Sequence, residues 1–381
     1  MQLDRWRKGC RKDTMESMKL VIATPLYPPE IGGPATYAKL LMEGLPAKGV
    51  AVNLVKFDDV RHLPKLVRHL AYFFRVRRAL KKADAVLTLD PVSTGLPACL
   101  AAWSLDKPLI VKIVGDYAWE QGRQRFGVTA SLDEFVTMKQ VPMRVRFLQS
   151  VQSRVARHAQ IIIVPSEYLK TIVATWGIGE EKIEVVHNAV VIEAVGAVPA
   201  AVEKLPRPLV VTAGRLVPWK HIEGVIDAIA LMAGKKTSLA VVGEGPDREV
   251  LERHAAEQLP GRTVFTGLLS HADTLATIQM ADVFVLNSSY EGLSHLLIEA
   301  LSLGVPIITT RAGGNLKVIT NDDNGLLVPV GDTSALAAAL TRIFSDEALR
   351  ARLVLRAVES SSHFSIDAML ARTVEIVHAH V

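Results

Sequence analysis

Short, almost uniformly apolar runs alternate along this chain with longer segments whose apolar residues recur at helical spacing. The runs are rich in Val and Ile, which is typical of parallel strands buried on both faces by crossover helices. We predict twelve such strands in two series of six: Lys19–Thr24, Val50–Val55, Ala85–Leu89, Leu109–Val114, Ile161–Val164 and Ile183–Val186, then Leu209–Ala213, Ser238–Val242, Thr263–Phe265, Val283–Leu286, Pro306–Thr309 and Gly325–Val328. The pattern therefore indicates an α/β fold with two doubly wound parallel sheets.

The two series are separated by a stretch with three prolines, little charge and no helical period, which we interpret as a linker. Each series has enough strands for a Rossmann-like domain, and such domains bind ligands beyond the carboxyl ends of their strands. We therefore expect a cleft between two facing domains. The predicted parts are a basic, disordered extension, an N-terminal domain, the linker, a C-terminal domain and a last helix that packs back on the first domain: residues 1–17, 18–188, 189–208, 209–364 and 365–381.

Composition narrows the class of protein. Of 381 residues, 49% are hydrophobic and 22% are charged, as in globular proteins. The two cysteines, Cys10 and Cys99, are too few for a disulfide framework or a cysteine-based metal site. No apolar run approaches the roughly 20 residues of a membrane-spanning helix, and the basic start lacks the apolar core of a secretory signal. We therefore expect a cytoplasmic protein.

The charges are distributed unevenly between the two halves. Residues 1–190 contain 28 Lys or Arg against 18 Asp or Glu, whereas residues 191–381 contain 16 against 21. A basic half and an acidic half indicate that the two domains meet different partners.

Much of the positive charge lies in Arg61–Lys82, which has eight Lys or Arg, two His, three aromatic residues and no acidic residue. A basic helix with aromatic residues can bind an anionic membrane surface, and we favour this interpretation. One alternative is an ordinary helix that packs Val67, Leu70 and Phe74 inward and solvates its basic face. We expect no nucleic acid as a partner, since the chain has no nucleic-acid-binding motif.

Glycine-rich turns follow two of the predicted strands at what should be the same edge of the sheets. Gly32 and Gly33 stand between the first strand and a helix that begins near Pro34. Gly243 and Gly245 follow the second strand of the second series. Glycines let backbone N–H groups approach a ligand closely, and a helix N-terminus favours an anion. Each turn alone is explained better by backbone conformation than by a ligand.

Two cations and two carboxylates also follow strands of the second series. Arg215 and Lys220 bracket the loop after its first strand, where they could neutralise a diphosphate without a metal ion or form an ordinary solvated basic pair. Glu291 and Glu299 flank the start of a helix for which Ser294 is a candidate N-cap. Eight residues of helix would separate the carboxylates by about 12 Å. This spacing matches a nucleotide sugar, with one carboxylate on sugar hydroxyls and the other on the ribose, although the pair alone is better explained as two surface glutamates of an amphipathic helix.

The order of these motifs resembles the retaining glycosyltransferases of family 4, over roughly residues 18 to 345. Further segments share the resemblance: Val164-Pro165-Ser166, Phe265-Thr266-Gly267, Gly304-Val305-Pro306, Gly313-Gly314 and Asn324-Gly325-Leu326-Leu327-Val328. The resemblance implies a GT-B fold whose C-terminal domain binds most of the donor, and a reaction that needs no metal and no cofactor. It also implies that the leaving diphosphate takes the acceptor proton while the protein supplies positioning and electrostatics.

The resemblance assigns roles to most of the candidate residues. The assignments are Arg215 and Lys220 on the donor diphosphate, the backbone of Ser294, His295 and Leu296 on phosphate or sugar oxygens, Glu291 on the donor sugar, Glu299 on the ribose, and Gly32 and Gly33 on the donor or acceptor from the other domain.

The chain departs from the family pattern in three places. Many relatives carry His-Asp after the fourth strand, where this chain has Gly115-Asp116, so Asp116 is the remaining candidate for orienting donor or acceptor. His221 replaces the usual glycine after the loop lysine, and Lys317 stands near the position of a frequent glutamate. These changes affect the identity of the sugar more than the expectation of a donor site.

We therefore predict a glycosyltransferase that moves a hexosyl group from a nucleotide diphosphate sugar to a hydroxyl acceptor with retention. In this family the acceptor is often a lipid-linked sugar or polysaccharide precursor, which would place the protein at the inner face of the cytoplasmic membrane. The alternatives are another GT-B enzyme, such as a nucleotide-sugar epimerase or a sugar phosphorylase, and a catalytically silent binding or scaffold subunit. Gly115 is the only hint of the last of these.

Overall fold

Two six-stranded parallel sheets organise the chain. The computed structural model describes residues 18–30, 32–192, 194–232 and 236–381, so the predicted extension over residues 1–17 lies outside the described residues. All twelve predicted strands are confirmed within two residues at each end. They are β1 Met18–Thr24, β2 Val50–Lys56, β3 Ala85–Thr88, β4 Leu109–Lys112, β5 Ile161–Val164, β6 Ile183–Val185, β7 Leu209–Ala213, β8 Ser238–Val242, β9 Thr263–Gly267, β10 Val283–Leu286, β11 Ile307–Thr310 and β12 Leu326–Val328.

Helices cross over between successive strands and cover both faces of each sheet. They are α1 Gly33–Gly44, α2 Asp58–Arg61, α3 Lys65–Leu80, α4 Gly95–Trp103, α5 Tyr117–Arg125, α6 Leu132–Phe135, α7 Met143–His158, α8 Glu167–Ala174, α9 Ala200–Glu203, α10 Ile222–Leu231, α11 Arg248–Gln258, α12 His271–Gln279, α13 His295–Ser302, α14 Asn315–Val318, α15 Thr333–Ser345, α16 Glu347–Ser361 and α17 Ile366–His380.

The strand order places the functional ends of the two sheets. The first sheet has the order β2-β1-β3-β4-β5-β6 and the second has the order β12-β11-β10-β7-β8-β9. Counted within its own domain, the second order is that of dinucleotide-binding sheets, whose ligands lie beyond the carboxyl ends of the central strands. The loops after β1 and β4 and those after β7, β8 and β10 line one common cleft.

The last helix, α17, belongs to the apolar core of the first domain. Leu370 and Val377 are buried in the same cluster as Leu41 of α1. A side chain added at Gly44 would overlap Leu370, so the two helices are in close contact. The chain therefore passes from one domain to the other a second time after α16.

The segment between the domains is partly folded. Residues 189–208 contain the one-turn helix α9, whose Val202 is fully buried in the core of the second domain. Val191, in contrast, packs on the core of the first domain. The proline-rich stretch therefore contacts both domains.

The basic helix α3 exposes the apolar residues that an ordinary amphipathic helix would bury. Its inward side chains are Tyr72, Val76 and Leu80. Leu70 and Phe74 are each 58% exposed and Val67 is 50% exposed. The alternative in which these three residues pack inward is therefore wrong. No helix among the described residues has the length and apolar character needed to cross a bilayer.

Candidate active site

A cavity of about 630 Å³ lies in the cleft, with walls from both domains. The first domain contributes the start of α1 and the segments around Glu120 and Asn188, and the second contributes the loops that end β7, β8 and β10. Of the predicted site residues, ten line the cavity: Gly32, Gly33, Arg215, Lys220, Gly243, Glu291, Ser294, His295, Leu296 and Glu299. Asp116 and Gly245 do not line it.

Lys220 and Glu291 form an ion pair on one wall of the cavity. Lys220 Nζ lies 2.5 Å from Glu291 Oε1, and both side chains are mostly buried. The hydroxyl of Ser288 donates a second hydrogen bond to the same carboxylate oxygen over 2.6 Å. An ammonium has three donors, so Lys220 keeps others for a ligand while it orients the Glu291 carboxylate.

The loop after β7 that carries Arg215 and Lys220, which we call the cation loop, has an unusual backbone conformation at His221. Lys220 ends a 3₁₀ turn, Pro218–Lys220, and His221 follows it with φ 45° and ψ 47°, in the left-handed region. Glycine adopts this region without strain, which explains why a glycine suits this position. Asn287 donates a hydrogen bond over 2.9 Å to the His221 carbonyl, so the strained turn is held from the end of β10.

Helix α13 begins at the cavity. Ser294 is its N-cap, since the Ser294 hydroxyl accepts a hydrogen bond from the Leu297 backbone N–H, as predicted. Because the helix starts only at His295, Glu291 lies in the preceding loop, and the helical estimate of about 12 Å between the carboxylates does not apply. Glu299 is buried one turn into the helix and pairs with His271, whose Nε2 lies 2.9 Å from Glu299 Oε1.

The glycine turns are required by close contacts as much as by a ligand. Gly243 has φ 133°, and a Cβ there would overlap the carbonyl of Gly214 in the neighbouring cation loop. A Cβ at Gly245 would overlap the backbone of Leu216 in the same loop. The turn after β8 therefore packs directly against the backbone of the cation loop.

The start of α1 meets the start of α13 across the cleft. A Cβ at Gly33 would lie 3.5 Å from the His295 ring. Burial lowers the pKa of His295, and Glu299 partly opposes this shift. Within the described part of the chain, His295 Nδ1 is buried and has no hydrogen-bond partner.

Asp116 caps a helix beneath the cleft. Its Oδ1 accepts a hydrogen bond from the Trp119 backbone N–H over 2.9 Å, which caps α5, and its Oδ2 accepts one from Trp176 Nε1 over 3.2 Å. Burial raises the pKa of Asp116. With both oxygens engaged and no surface on the cavity, Asp116 positions α5.

Glu120, one turn further along α5, lines the cavity and was missed by the sequence reasoning. Its carboxylate occupies the space that any side chain at position 115 would enter, because a Cβ on Gly115 would overlap Glu120 Oε1. Burial, with a contribution from Asp116, raises the pKa of Glu120 to about 7. Gly115 was the sequence signal for Glu120, since a glycine at this position leaves space for a side chain from elsewhere in the chain.

Lys112 is a second missed residue, at the end of β4. Its side chain is fully buried, and Nζ donates a hydrogen bond over 3.0 Å to the Val186 carbonyl. The same ammonium lies 4.5 Å from the ring centroid of Tyr37, a cavity-lining residue. Burial lowers the pKa of Lys112 to about 7.

The two domains are joined around the cavity by specific contacts to the Glu291 loop. Ser166 donates a hydrogen bond over 2.6 Å to the Gly292 carbonyl, and Asn188 donates one over 3.1 Å to the Leu293 carbonyl. Tyr290 packs edge-on against Trp119, with ring centroids 5.0 Å apart. The loop that presents Glu291 is therefore fixed by both domains.

Family models match both halves of the chain. Residues 32–189 match the glycosyl transferase 4-like domain, and residues 199–359 match the glycosyl transferases group 1 domain. The chain belongs to the group 1 glycosyltransferases. In the part that the structure describes, no three His, Cys, Asp or Glu side chains are grouped as a metal site would require.

Curated relatives within the family match mainly over part of their length. Lipopolysaccharide core biosynthesis glycosyltransferase LpsE of Rhizobium meliloti is 34% identical over 154 residues, which is 40% of this chain and 44% of LpsE. LpsD of the same organism is 40% identical over 146 residues, or 38% of this chain and 41% of LpsD. The chain thus spans less than half the length of these relatives.

Solved structures match over nearly the whole chain. Sucrose-phosphate synthase from Thermosynechococcus elongatus has a TM-score of 0.77 and 20% identity, and the match covers 95% of this chain and 98% of that one. Anabaena HepE in complex with UDP-glucose has a TM-score of 0.76 and 18% identity, and its match covers 95% and 100%. At this identity the likeness shows the fold, which is the GT-B fold of the group 1 glycosyltransferases.

Proposed function

We propose that this group 1 glycosyltransferase transfers a hexosyl group from a nucleotide diphosphate sugar to a hydroxyl acceptor with retention of configuration. The observation that carries the proposal is the interdomain cavity, in which Lys220, Glu291 and the start of α13 meet. Anabaena HepE, with the same fold, has been solved with UDP-glucose.

The charges of the cavity suit a leaving diphosphate. Lys220 is mostly buried, so its charge acts in a medium that screens it less than water does. Arg215 stands at the exposed rim, 3.3 Å from Gln124 of the other domain, and can close on a bound diphosphate. The first N–H groups of α13 add partial positive charge at the same place. These groups supply the electrostatic stabilisation that the departing phosphate needs.

The transfer that we propose needs no protein nucleophile. The acceptor oxygen bonds to the anomeric carbon on the face from which the diphosphate leaves, the bond from that carbon to phosphate oxygen breaks, and the acceptor proton passes to the leaving oxygen. Glu291, oriented by Lys220 and Ser288, would hold the sugar hydroxyls, and Glu299 would hold the ribose. The protein thereby contributes positioning and charge.

Calorimetric titration with UDP, GDP and ADP, followed by a panel of their hexose conjugates, tests donor binding. We expect Glu291→Gln to keep nucleotide affinity within about tenfold while transfer falls by roughly 10²–10³, as for loss of one stabilising group. Glu257→Gln, on the exposed side of α11, is the control. If the protein bound no nucleotide, the proposal would be refuted, and an inverted product would refute retention.

The same panel separates the alternative activities. An epimerase would convert the donor without an acceptor, and a phosphorylase would require inorganic phosphate. A silent binding subunit would bind the nucleotide sugar and turn nothing over.

We further propose that helix α3 binds the anionic inner surface of the membrane, where a lipid-linked or polysaccharide precursor would be met. Exposed Leu70 and Phe74 would enter the interface, and the neighbouring Lys and Arg would each contribute about 1 kcal/mol near anionic lipid. Helix α4, which packs beside α3 through the Arg77–Ser104 hydrogen bond, exposes 76% of Trp103. Apolar and cationic groups on one surface fit an anionic bilayer.

Flotation with phosphatidylcholine vesicles, with and without phosphatidylglycerol, tests this surface. We expect binding only to the mixed vesicles at low salt, and its loss in the double variant Leu70→Ser, Phe74→Ser. The control, Leu231→Ser with Leu355→Ser, removes equally exposed apolar side chains from the second domain. Binding that ignored both the lipid charge and the α3 substitutions would contradict the proposal.

A further inference from the structure

Two polar side chains border one point of the cavity, one from each domain. A Cβ placed on Gly115 would lie 2.9 Å from the hydroxyl of Tyr290 and would overlap the carboxylate of Glu120. Glu120 stands on α5 and Tyr290 stands in the loop before α13, and both line the cavity. Both polar groups therefore lie beside the same buried glycine, and both residues line the cavity.

Both groups can form hydrogen bonds with a ligand in the cavity. Tyr290 is only 5% exposed, and its hydroxyl has no partner there. Glu120 is half-buried and lines the cavity, where its carboxylate can be reached by a ligand. A buried hydroxyl without a partner is unfavourable, so a ligand that supplies a partner to the Tyr290 hydroxyl is favoured at this point.

We propose that Glu120 and Tyr290 form a hydroxyl-binding pair that holds a sugar hydroxyl at the reacting part of the cleft. The inference rests on the proposed function, since it requires a sugar in this cavity. The Glu120 carboxylate accepts a hydrogen bond from the sugar hydroxyl, and the phenol of Tyr290 donates one to it. A hydroxyl is both donor and acceptor, so it satisfies both groups at once.

The glycine at position 115 makes this arrangement possible. The Cβ of any side chain there would overlap the Glu120 carboxylate and lie against the Tyr290 hydroxyl. Asp116 fixes the first turn of α5, so Glu120 is presented from a capped helix. The pair is therefore built on a defined backbone and on a loop that both domains hold.

The surroundings of Glu120 bring its pKa close to neutral pH. Burial raises its pKa to about 7, with Asp116 and Asp90 acting in the same direction and Arg215 and Lys220 acting against it. At neutral pH both protonation states are populated, so the carboxyl can also donate to a sugar oxygen. A diphosphate that neutralised the two cations would favour the protonated form further.

The hydroxyl could belong to the transferred sugar or to the acceptor sugar, and binding measurements separate the two. The variants are Glu120→Ala and Tyr290→Phe, with Glu120→Gln as the conservative replacement. Tyr72→Phe is the matched control, because it removes a buried hydroxyl that bonds to the Val55 carbonyl in the core of the first domain. The probes are the nucleotide sugar selected by the panel above, its nucleotide diphosphate, and the free hexose titrated into nucleotide-saturated protein.

If the pair holds the transferred sugar, Glu120→Ala and Tyr290→Phe weaken nucleotide-sugar binding about tenfold, while nucleotide affinity changes less than twofold. If it holds the acceptor sugar, only the affinity for the free hexose falls. In either case Glu120→Gln restores part of the affinity. Unchanged affinities for both sugars in a protein that binds the nucleotide sugar would overturn this inference alone. A wild-type protein that bound no nucleotide would instead overturn the proposed function.

Discussion

Replacing Glu120 by Gln should make the protein more stable, and the gain should grow with pH. A carboxyl whose folded-state pKa is raised binds its proton more tightly when folded, so its stabilising effect is complete below the unfolded pKa and is lost as pH rises through the folded one. For Glu120 that window runs from about 4.5 to about 7. Gln resembles the protonated carboxyl at every pH and is free of this loss.

The size of the effect follows from the pKa difference. The rise in the Glu120 pKa on folding corresponds to about 3 kcal/mol, at about 1.36 kcal/mol for each pKa unit. Glu120 borders the open cavity and is only partly buried, so water screens it and we reduce the figure by about half. We therefore expect Glu120→Gln to raise the free energy of unfolding by about 1–2 kcal/mol at pH 8 and by only a few tenths at pH 5.

Urea unfolding followed by tryptophan fluorescence measures this difference. Trp119 precedes Glu120 on α5 and packs on Tyr290, so it reports on the relevant region. A gain of this size shifts the urea midpoint by roughly 0.5–1 M for a slope near 2 kcal/mol per M. Glu257→Gln, on the exposed side of α11, is the control for the chemical change from Glu to Gln. A gain that was equal at pH 5 and pH 8, or a loss at pH 8, would refute the assignment of a raised pKa.

Three further predictions concern the cation loop and the core. We expect His221→Gly to stabilise the protein by up to about 1 kcal/mol in urea unfolding, because glycine adopts the left-handed backbone region without strain. Nucleotide affinity should stay unchanged, because the hydrogen bond from Asn287 goes to the backbone carbonyl of residue 221. A clear loss of affinity would show that the His221 ring binds the ligand. Gly243→Ala should weaken nucleotide binding at least tenfold in calorimetry, because its Cβ displaces Gly214, and unchanged binding would argue against a supporting role for this turn. The Lys112→Met variant should become more stable than the wild type by roughly 1 kcal/mol for each pH unit as pH falls from 10 to 7, because burial lowers the pKa of the wild-type amine to about 7. A gain in stability that did not depend on pH would contradict this reasoning.

The strands could be predicted from the sequence because burial on both faces leaves a simple record. Runs such as Ile161–Val164 are short, apolar at every position and composed of β-branched residues, which together favour a buried strand over a buried helix. The N-cap at Ser294 was predicted for a similar reason, since caps depend on residue type at one position.

The failures concern side chains whose role depends on contacts distant in sequence. Asp116 carries the expected chemistry, but Trp176, sixty residues away, takes one of its oxygens. Glu120 resembles an ordinary surface glutamate until Gly115 and Tyr290 are placed around it. On α3, the alternative that places Leu70 inward is wrong, because Tyr72 takes the inward position. Tertiary contacts select among faces that the local pattern leaves equivalent.

The return of α17 to the first domain has a consequence for biosynthesis. Leu370 and Val377 complete the core around α1, so the first domain lacks part of its interior until residues 366–380 have left the ribosome. The second domain, whose strands span residues 209–328, is by then already translated and can close its own core. Folding of this chain during translation should therefore finish in the reverse of the order of synthesis, with the domain that is made first completed last.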